Sequence, residues 1–230
     1  MSKQLFVIAV ALLLQMVSAF GGLKSGEQPV GAKPDALPSA APAASASAPA
    51  NPTGPVFVFP FKTEVSPTAL TFLRRALKEA ERAGASAFIL DMNTPGGDLC
   101  VTMDIFELLH RTKVPTMTFV NPHALSAGAL ISLATKKIYM RPDAVIGAAA
   151  VVGGAGEDIE KTMKSKIDSF STAKVRSVSE ENGHNPDIAE AFMIVGKELK
   201  VGDTLIDSKD TLLSLNGREA AKLYLSLIHI

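Results

Sequence analysis

The chain has 230 residues, 47% of them hydrophobic and 20% charged, enough for one sizeable core and too few for two large domains. Its 23 basic and 23 acidic side chains cancel, so no global positive field draws it to nucleic acid or an anionic membrane. A single cysteine, Cys100, excludes an internal disulfide and a multi-cysteine metal site; the four scattered histidines leave only a weak metal site open, and no metal and no cofactor is expected.

The N-terminus reads as a signal peptide over residues 1–19. Lys3 precedes an apolar run from Leu5 to Leu14, and Val17 and Ala19 are the small residues that cleavage after Ala19 needs. An uncleaved anchor is the other reading, because the apolar stretch through Leu23 nearly reaches the roughly 20 residues that span a bilayer. Either way the chain is expected to be exported and envelope-associated. Residues 20–54 then shift in composition. Half of the chain's 14 prolines fall between Pro29 and Pro55, among alanines and serines, which predicts a disordered, semi-rigid linker. The folded domain is expected over 55–230. It reads as truncated at its C-terminus, where a helix opened by Asn216-Gly217 is followed only by a short tail containing His229.

Within the domain, Val56–Phe61 is β-rich, and Ser66-Pro67 supplies an N-cap and first-turn proline for a helix with Leu70, Leu73, Leu77 and Ala80 on one stripe. Gly84 should end it. A strand over 87–92, a helix over 99–111 with Val101, Ile105, Leu108 and Leu109 inward, and a strand over 116–120 follow. This β-α-β-α-β alternation predicts an α/β domain with a mainly parallel sheet and right-handed crossovers. A buried helix over 126–135 and strands over 137–140 and 144–146 continue it. A long helix over about 157–182, a shorter one from Asn185-Pro186 to Gly196 and a β-hairpin within 197–215 complete the reading.

Two loops fall at carboxyl ends of parallel strands, where open α/β sheets place ligands. In Asn93-Thr-Pro-Gly96-Gly97-Asp98 the paired glycines form either a tight turn or a backbone donor site for a developing negative charge. In Ala124-Leu-Ser126-Ala127-Gly128-Ala129, Ser126 is either a helix cap or a nucleophile whose neighbouring Ala127 amide faces the same charge. A nucleophile needs a base. His110 and His184 lie away from this loop and His123 is only a weak alternative three residues before the serine. On the long helix, Ile159, Met163, Lys166, Phe170 and Ala173 recur at helical spacing, which puts Lys166 on an apolar stripe and Lys161 and Lys164 on the solvated face. Such a lysine either snorkels or, desolvated, becomes a neutral amine able to take the serine proton. Cys100, early in a helix, reads as a buried core thiol.

Taken in order, Asn93-Thr-Pro-Gly-Gly97, Ser126-Ala-Gly-Ala129, Pro142-x-x-x-Ile146-Gly147-Ala148 and Ser165-Lys166-Ile-Asp-Ser-Phe170 resemble the ClpP-class membrane-associated serine proteases of the NfeD type. The resemblance spans about residues 56–223 and implies a ClpP/crotonase-like fold of stacked ββα units that assemble as homo-oligomers. It also implies a Ser-Lys dyad, with Ser126 as nucleophile, Lys166 as general base, the Gly97 and Ala127 amides as the oxyanion hole, and Gly96 and Gly128 in the supporting loops. Position 151 is Val, so the histidine of soluble Ser-His-Asp ClpP is lacking, and Val195-Gly196 stands where many of the family carry an aspartate. The implied substrate is a protein or peptide, an extended hydrophobic stretch of a stomatin-like membrane partner. Other readings are a signal-peptide-peptidase-A-like peptidase, a catalytically silent scaffold on the same fold, and a crotonase-type acyl-CoA enzyme, for which no basic phosphate patch is found.

Overall fold

The computed structural model describes residues 53–153, 160–201, 204–206 and 210–223. The signal peptide, the linker up to residue 52, residues 157–159 of the expected long helix and the tail with His229 lie outside the described residues.

Strand and helix alternate as expected: β1 (Val56–Phe61), α1 (Pro67–Arg82), β2 (Ala87–Thr94), α2 (Leu99–Arg111), β3 (Thr116–Leu125), α3 (Ala127–Leu133), β4 (Lys137–Met140) and β5 (Val145–Gly147). After these come α4 (Lys161–Glu181), α5 (Pro186–Met193), the hairpin β6 (Leu199–Val201) and β7 (Thr204–Ile206), β8 (Ser214–Asn216) and α6 (Gly217–Lys222). The main sheet runs β1-β2-β3-β5-β8, with β4 also on β3. Every pairing in it is parallel except β5 with β8, so the mainly parallel α/β architecture is the one observed.

Local signals act where the sequence puts them. Ser66 caps α1 by accepting from the Ala69 amide, and Leu70, Leu73, Leu77 and Ala80 are buried against the sheet. The Gly84 and Ala85 amides donate back to Glu81 and Ala80, closing the helix with paired C-terminal bonds. At the far end, Asn216 and Glu219 form a reciprocal capping box on α6. Along β2, Phe88, Leu90, Met92 and Thr94 alternate into the core.

Two elements differ from expectation. β3 does not stop at Val120 but runs on through Asn121-Pro122 to Leu125. Its first part, Met117 to Val120, pairs with β4, and His123 to Leu125 pair with β5, so Pro122 falls where the strand changes partner and its missing N–H costs no ladder bond. Cys100 is exposed, because the core face of α2 is formed by Val101, Thr102, Ile105, Phe106 and Leu109.

Candidate active site

The glycine loop and Ser126 meet. Buried Thr94 ends β2 and its Oγ1 accepts from the Gly96 amide at 3.2 Å. The loop is then tied to Val65, whose N–H donates to Gly96 O (2.8 Å) and whose carbonyl accepts from the Asp98 amide (2.9 Å). Gly96 and Gly97 have φ of +115° and +150°, where side chains are strained, and there is no room for one. A Cβ on Gly97 would lie 2.3 Å from Val65 O, and one on Gly96 would lie 2.5 Å from Ser126 Cβ and 2.9 Å from its Oγ. Gly96 is therefore packed directly on the Ser126 side chain. Asp98 caps α2 by accepting from the Val101 amide at 2.8 Å.

Ser126 sits in the turn from β3 into α3 with φ 52° and ψ −122°, and its side chain makes no capping bond. A serine acting as cap has an extended backbone and accepts from an amide two or three residues on; neither holds here. A non-glycine residue in this region costs on the order of 1–3 kcal/mol and persists only where its surroundings over-determine it. They do: the Ser126 amide donates to Gly147 O at 2.9 Å, its carbonyl accepts from Ala129 and Leu130, and every residue of α3 is buried. Gly128 lets that helix approach, since a Cβ there would meet Thr94 Cγ2 at 2.4 Å. This strained strand-to-helix turn has the form that presents a nucleophilic serine in α/β hydrolases. Among the described residues, the Gly97 and Ala127 amides donate to no backbone carbonyl.

The lysine helix corrects the sequence reading. The inward face of α4 is Ser171, Val175, Val178 and Ser179, continued toward its start by half-buried Ile167 and Lys164. The stripe read as apolar and inward faces outward: Met163 is 40% and Phe170 65% exposed, and Lys166 and Ala173 are exposed with them. Of Lys161, Lys164 and Lys166, it is Lys164, expected to be solvated, that bonds the rest of the domain, donating to Val151 O at 3.3 Å and pairing with Asp168 at 2.9 Å. Two periodic stripes compete on this helix, and the one carrying Val175 and Val178 wins because those side chains reach the α5 and α3 packing.

Among the described residues no histidine hydrogen-bonds Ser126. His123 is exposed on β3 opposite Val145, and His110 pairs with Glu181 at 2.7 Å. His184, missed as a structural residue, is buried in the turn after α4. Its Nε2 lies 2.6 Å from Thr135 O; a carbonyl only accepts, so Nε2 carries the hydrogen, and among the described residues the buried Nδ1 has no partner. Burial pushes its pKa down. The Cys100 thiol is pushed up by partial desolvation and by the Asp98 and Asp104 charges, which disfavours a thiolate. Glu190 links α4 and α5 through Arg176 (2.9 Å) and holds Lys197 at 2.6 Å; the hydrogen bond from Lys197, with Arg176 adding to it, keeps its carboxyl below the usual range. Among the described residues no group of histidine, cysteine and carboxylate side chains is arranged to hold a metal.

Residues 55–227 match the family model described as the NfeD1b N-terminal domain. The chain belongs to that family. It is 34% identical to membrane protein NfeD1b of Bacillus subtilis over 171 residues, 72% of this chain and 36% of the relative. It is 31% identical to membrane-bound protease PH1510 of Pyrococcus horikoshii over 144 residues, 60% of this chain and 32% of that one. The chain thus spans about a third of the length of these curated relatives. Among solved structures it is similar to the 1510-N membrane-bound stomatin-specific protease, as a serine-to-alanine variant (TM-score 0.63, 27% identity, covering 77% of this chain and 81% of that one). It is equally similar to the lysine-to-alanine variant with a substrate peptide (0.63, 26%, 77% and 76%). The NfeD-type resemblance and the ClpP-like fold expected from the motifs are thereby borne out. NfeD1b-family relatives are named as membrane proteins, while among the described residues no helix is long and apolar enough to cross a membrane.

Proposed function

We propose that this NfeD1b-family domain is a membrane-associated serine endopeptidase in which Ser126 is the nucleophile, Lys166 the general base, and the Gly97 and Ala127 amides the oxyanion donors. Gly96 and Gly128 shape the supporting loops. The observation that carries the reading is the Ser126 turn: a strained positive φ, no capping bond, and Gly96 packed on the hydroxyl. Support for the lysine comes from the solved relatives, whose substituted serine and lysine are separated by one residue more than Ser126 and Lys166 are.

In this mechanism the neutral Lys166 amine takes the Ser126 proton and the oxygen attacks the scissile carbonyl carbon. The oxyanion meets the Gly97 and Ala127 N–H groups, and as the C–N bond breaks Lys166 returns the proton to the leaving amine. Water, deprotonated by the same amine, then hydrolyses the acyl-enzyme. The substrate is an extended apolar segment of a membrane partner, of the stomatin-like class named for 1510-N. Homo-oligomer formation belongs to the same reading, since covering the exposed Met163 and Phe170 stripe also desolvates Lys166, the condition under which a lysine becomes a base.

The test is fluorophosphonate labelling of the full chain across pH. Labelling is expected at Ser126, absent in Ser126→Ala, and slowed about 100- to 10,000-fold in Lys166→Ala, with all three proteins folded by circular dichroism. Wild-type protein that never labels, or Lys166→Ala labelling at the wild-type rate, removes the dyad and favours the scaffold.

A further inference from the structure

The first half of α4, which carries Lys166, is weakly anchored. All the buried positions of this 21-residue helix lie from Ser171 onward. Lys174 bonds Glu107 on α2 and Arg176 bonds Glu190 on α5, again in the second half. Glu160 accepts from the Thr162 and Met163 amides, which caps the helix from within. Among the described residues, the only hydrogen bond running from positions 160–170 to the rest of the domain is Lys164 Nζ to Val151 O.

Val151 is two residues beyond a fixed stretch of backbone. Gly147 O holds the Ser126 amide, the Ala148 amide donates to Leu213 O (2.9 Å) and the Ala149 amide to Phe192 O (2.7 Å). Asp168, one turn on, pairs with the same Lys164 ammonium and orients it. Lys166 lies five positions before Ser171, about 7.5 Å along the helix axis. A pivot of about 10° there moves its backbone by roughly 1 Å, and a displacement of that size can cost about 100-fold in rate.

We propose that Lys164 is a positioning residue: by bonding Val151 O and Asp168 it fixes the first half of α4, and with it the Lys166 amine, relative to the backbone that holds Ser126. The role rests on the dyad reading of Lys166. It concerns placement and not stability, because half-exposed ion pairs contribute little free energy.

The test compares Lys164→Met, which keeps an apolar stem, Lys164→Arg, which restores a donor, and Asp168→Asn, in the full chain. Amide hydrogen exchange over 163–170 should quicken about tenfold in Lys164→Met, with 172–181 unchanged and Lys164→Arg near wild type. Ser126 labelling by a fluorophosphonate should slow about 10- to 100-fold in Lys164→Met while keeping the wild-type dependence on pH. Asp168→Asn should fall between. Unchanged exchange in Lys164→Met overturns the proposal, as does a labelling loss that Lys164→Arg does not rescue. A pH dependence lost in Lys164→Met and kept in Lys166→Ala would make Lys164 itself the base. Wild-type protein that never labels, with exchange still responding to Lys164→Met, would remove the dyad and leave the anchoring.

Discussion

Ser126 and Lys166 stand in opposite kinds of structure. The serine is held by a ten-residue strand on one side and a wholly buried helix on the other, with its amide and carbonyl bonded and Gly96 against its side chain. The lysine is exposed on a helix half with no buried side chain, where, among the described residues, one long side chain makes the only hydrogen bond to the domain. A strained conformation survives only where many contacts agree, so the serine turn can be built within one chain. The lysine half is set by few contacts and responds to whatever covers the Met163 and Phe170 stripe.

That contrast can be broken most strongly at the loop over the serine. Gly96→Ala places a Cβ against Ser126 at a strained φ and should cost about 3 kcal/mol in denaturant unfolding, along with Ser126 labelling. A loss below about 1 kcal/mol would mean that the loop yields and the serine is less tightly held than argued. The two faces of α4 give the next largest effect. Val175→Ala on the inward face should cost about 2 kcal/mol, whereas Phe170→Ser on the outward one should change monomer stability by less than about 0.5 kcal/mol. Equal losses would restore the stripe that the sequence suggests.

The smallest effect lies where the two halves join, at His184 between the end of α4 and Thr135 beyond α3. Its pKa in the folded protein is depressed below the ordinary 6.5, so below that pH the unfolded chain binds more protons and stability falls as pH drops through the window under 6.5. Lys136, Glu181 and the Glu181 partner His110 face the same region. The difference between wild type and His184→Gln cancels their shared contribution. Wild type should lose about 2–4 °C more in melting temperature than the variant between pH 7 and pH 5. Parallel melting curves would show that His184 accepts its proton without penalty.

The fold was legible where local chemistry and burial agree. Ser66-Pro67, Asn185-Pro186 and Asn216 each start the helix they announce, and the apolar strand read over 87–92 lies within β2, which runs on to Thr94. The NfeD-type motifs were legible too, as an ordered set. Three readings failed, each at a choice that local pattern leaves open. Pro122 resembles a strand end unless β5 is known to take over from β4 along β3. Cys100 looks buried unless the core face of α2 is known. On α4 the Met163–Phe170 stripe and the Ile167–Val175–Val178 stripe are both periodic; the longer run of β-branched residues was the available signal for the second.

By itself the sequence determined the α/β alternation, the helix starts, the glycine and serine loops and the family they belong to, because caps, breakers and motifs act over a few neighbouring residues. Tertiary structure decided that Ser126 is strained and uncapped, that Gly96 packs on it, and that Lys164 faces the domain while Lys166 faces water. Those outcomes depend on contacts between segments that are not neighbours in the chain, Gly96 with Ser126 and Lys164 with Val151 among them, which no local pattern encodes.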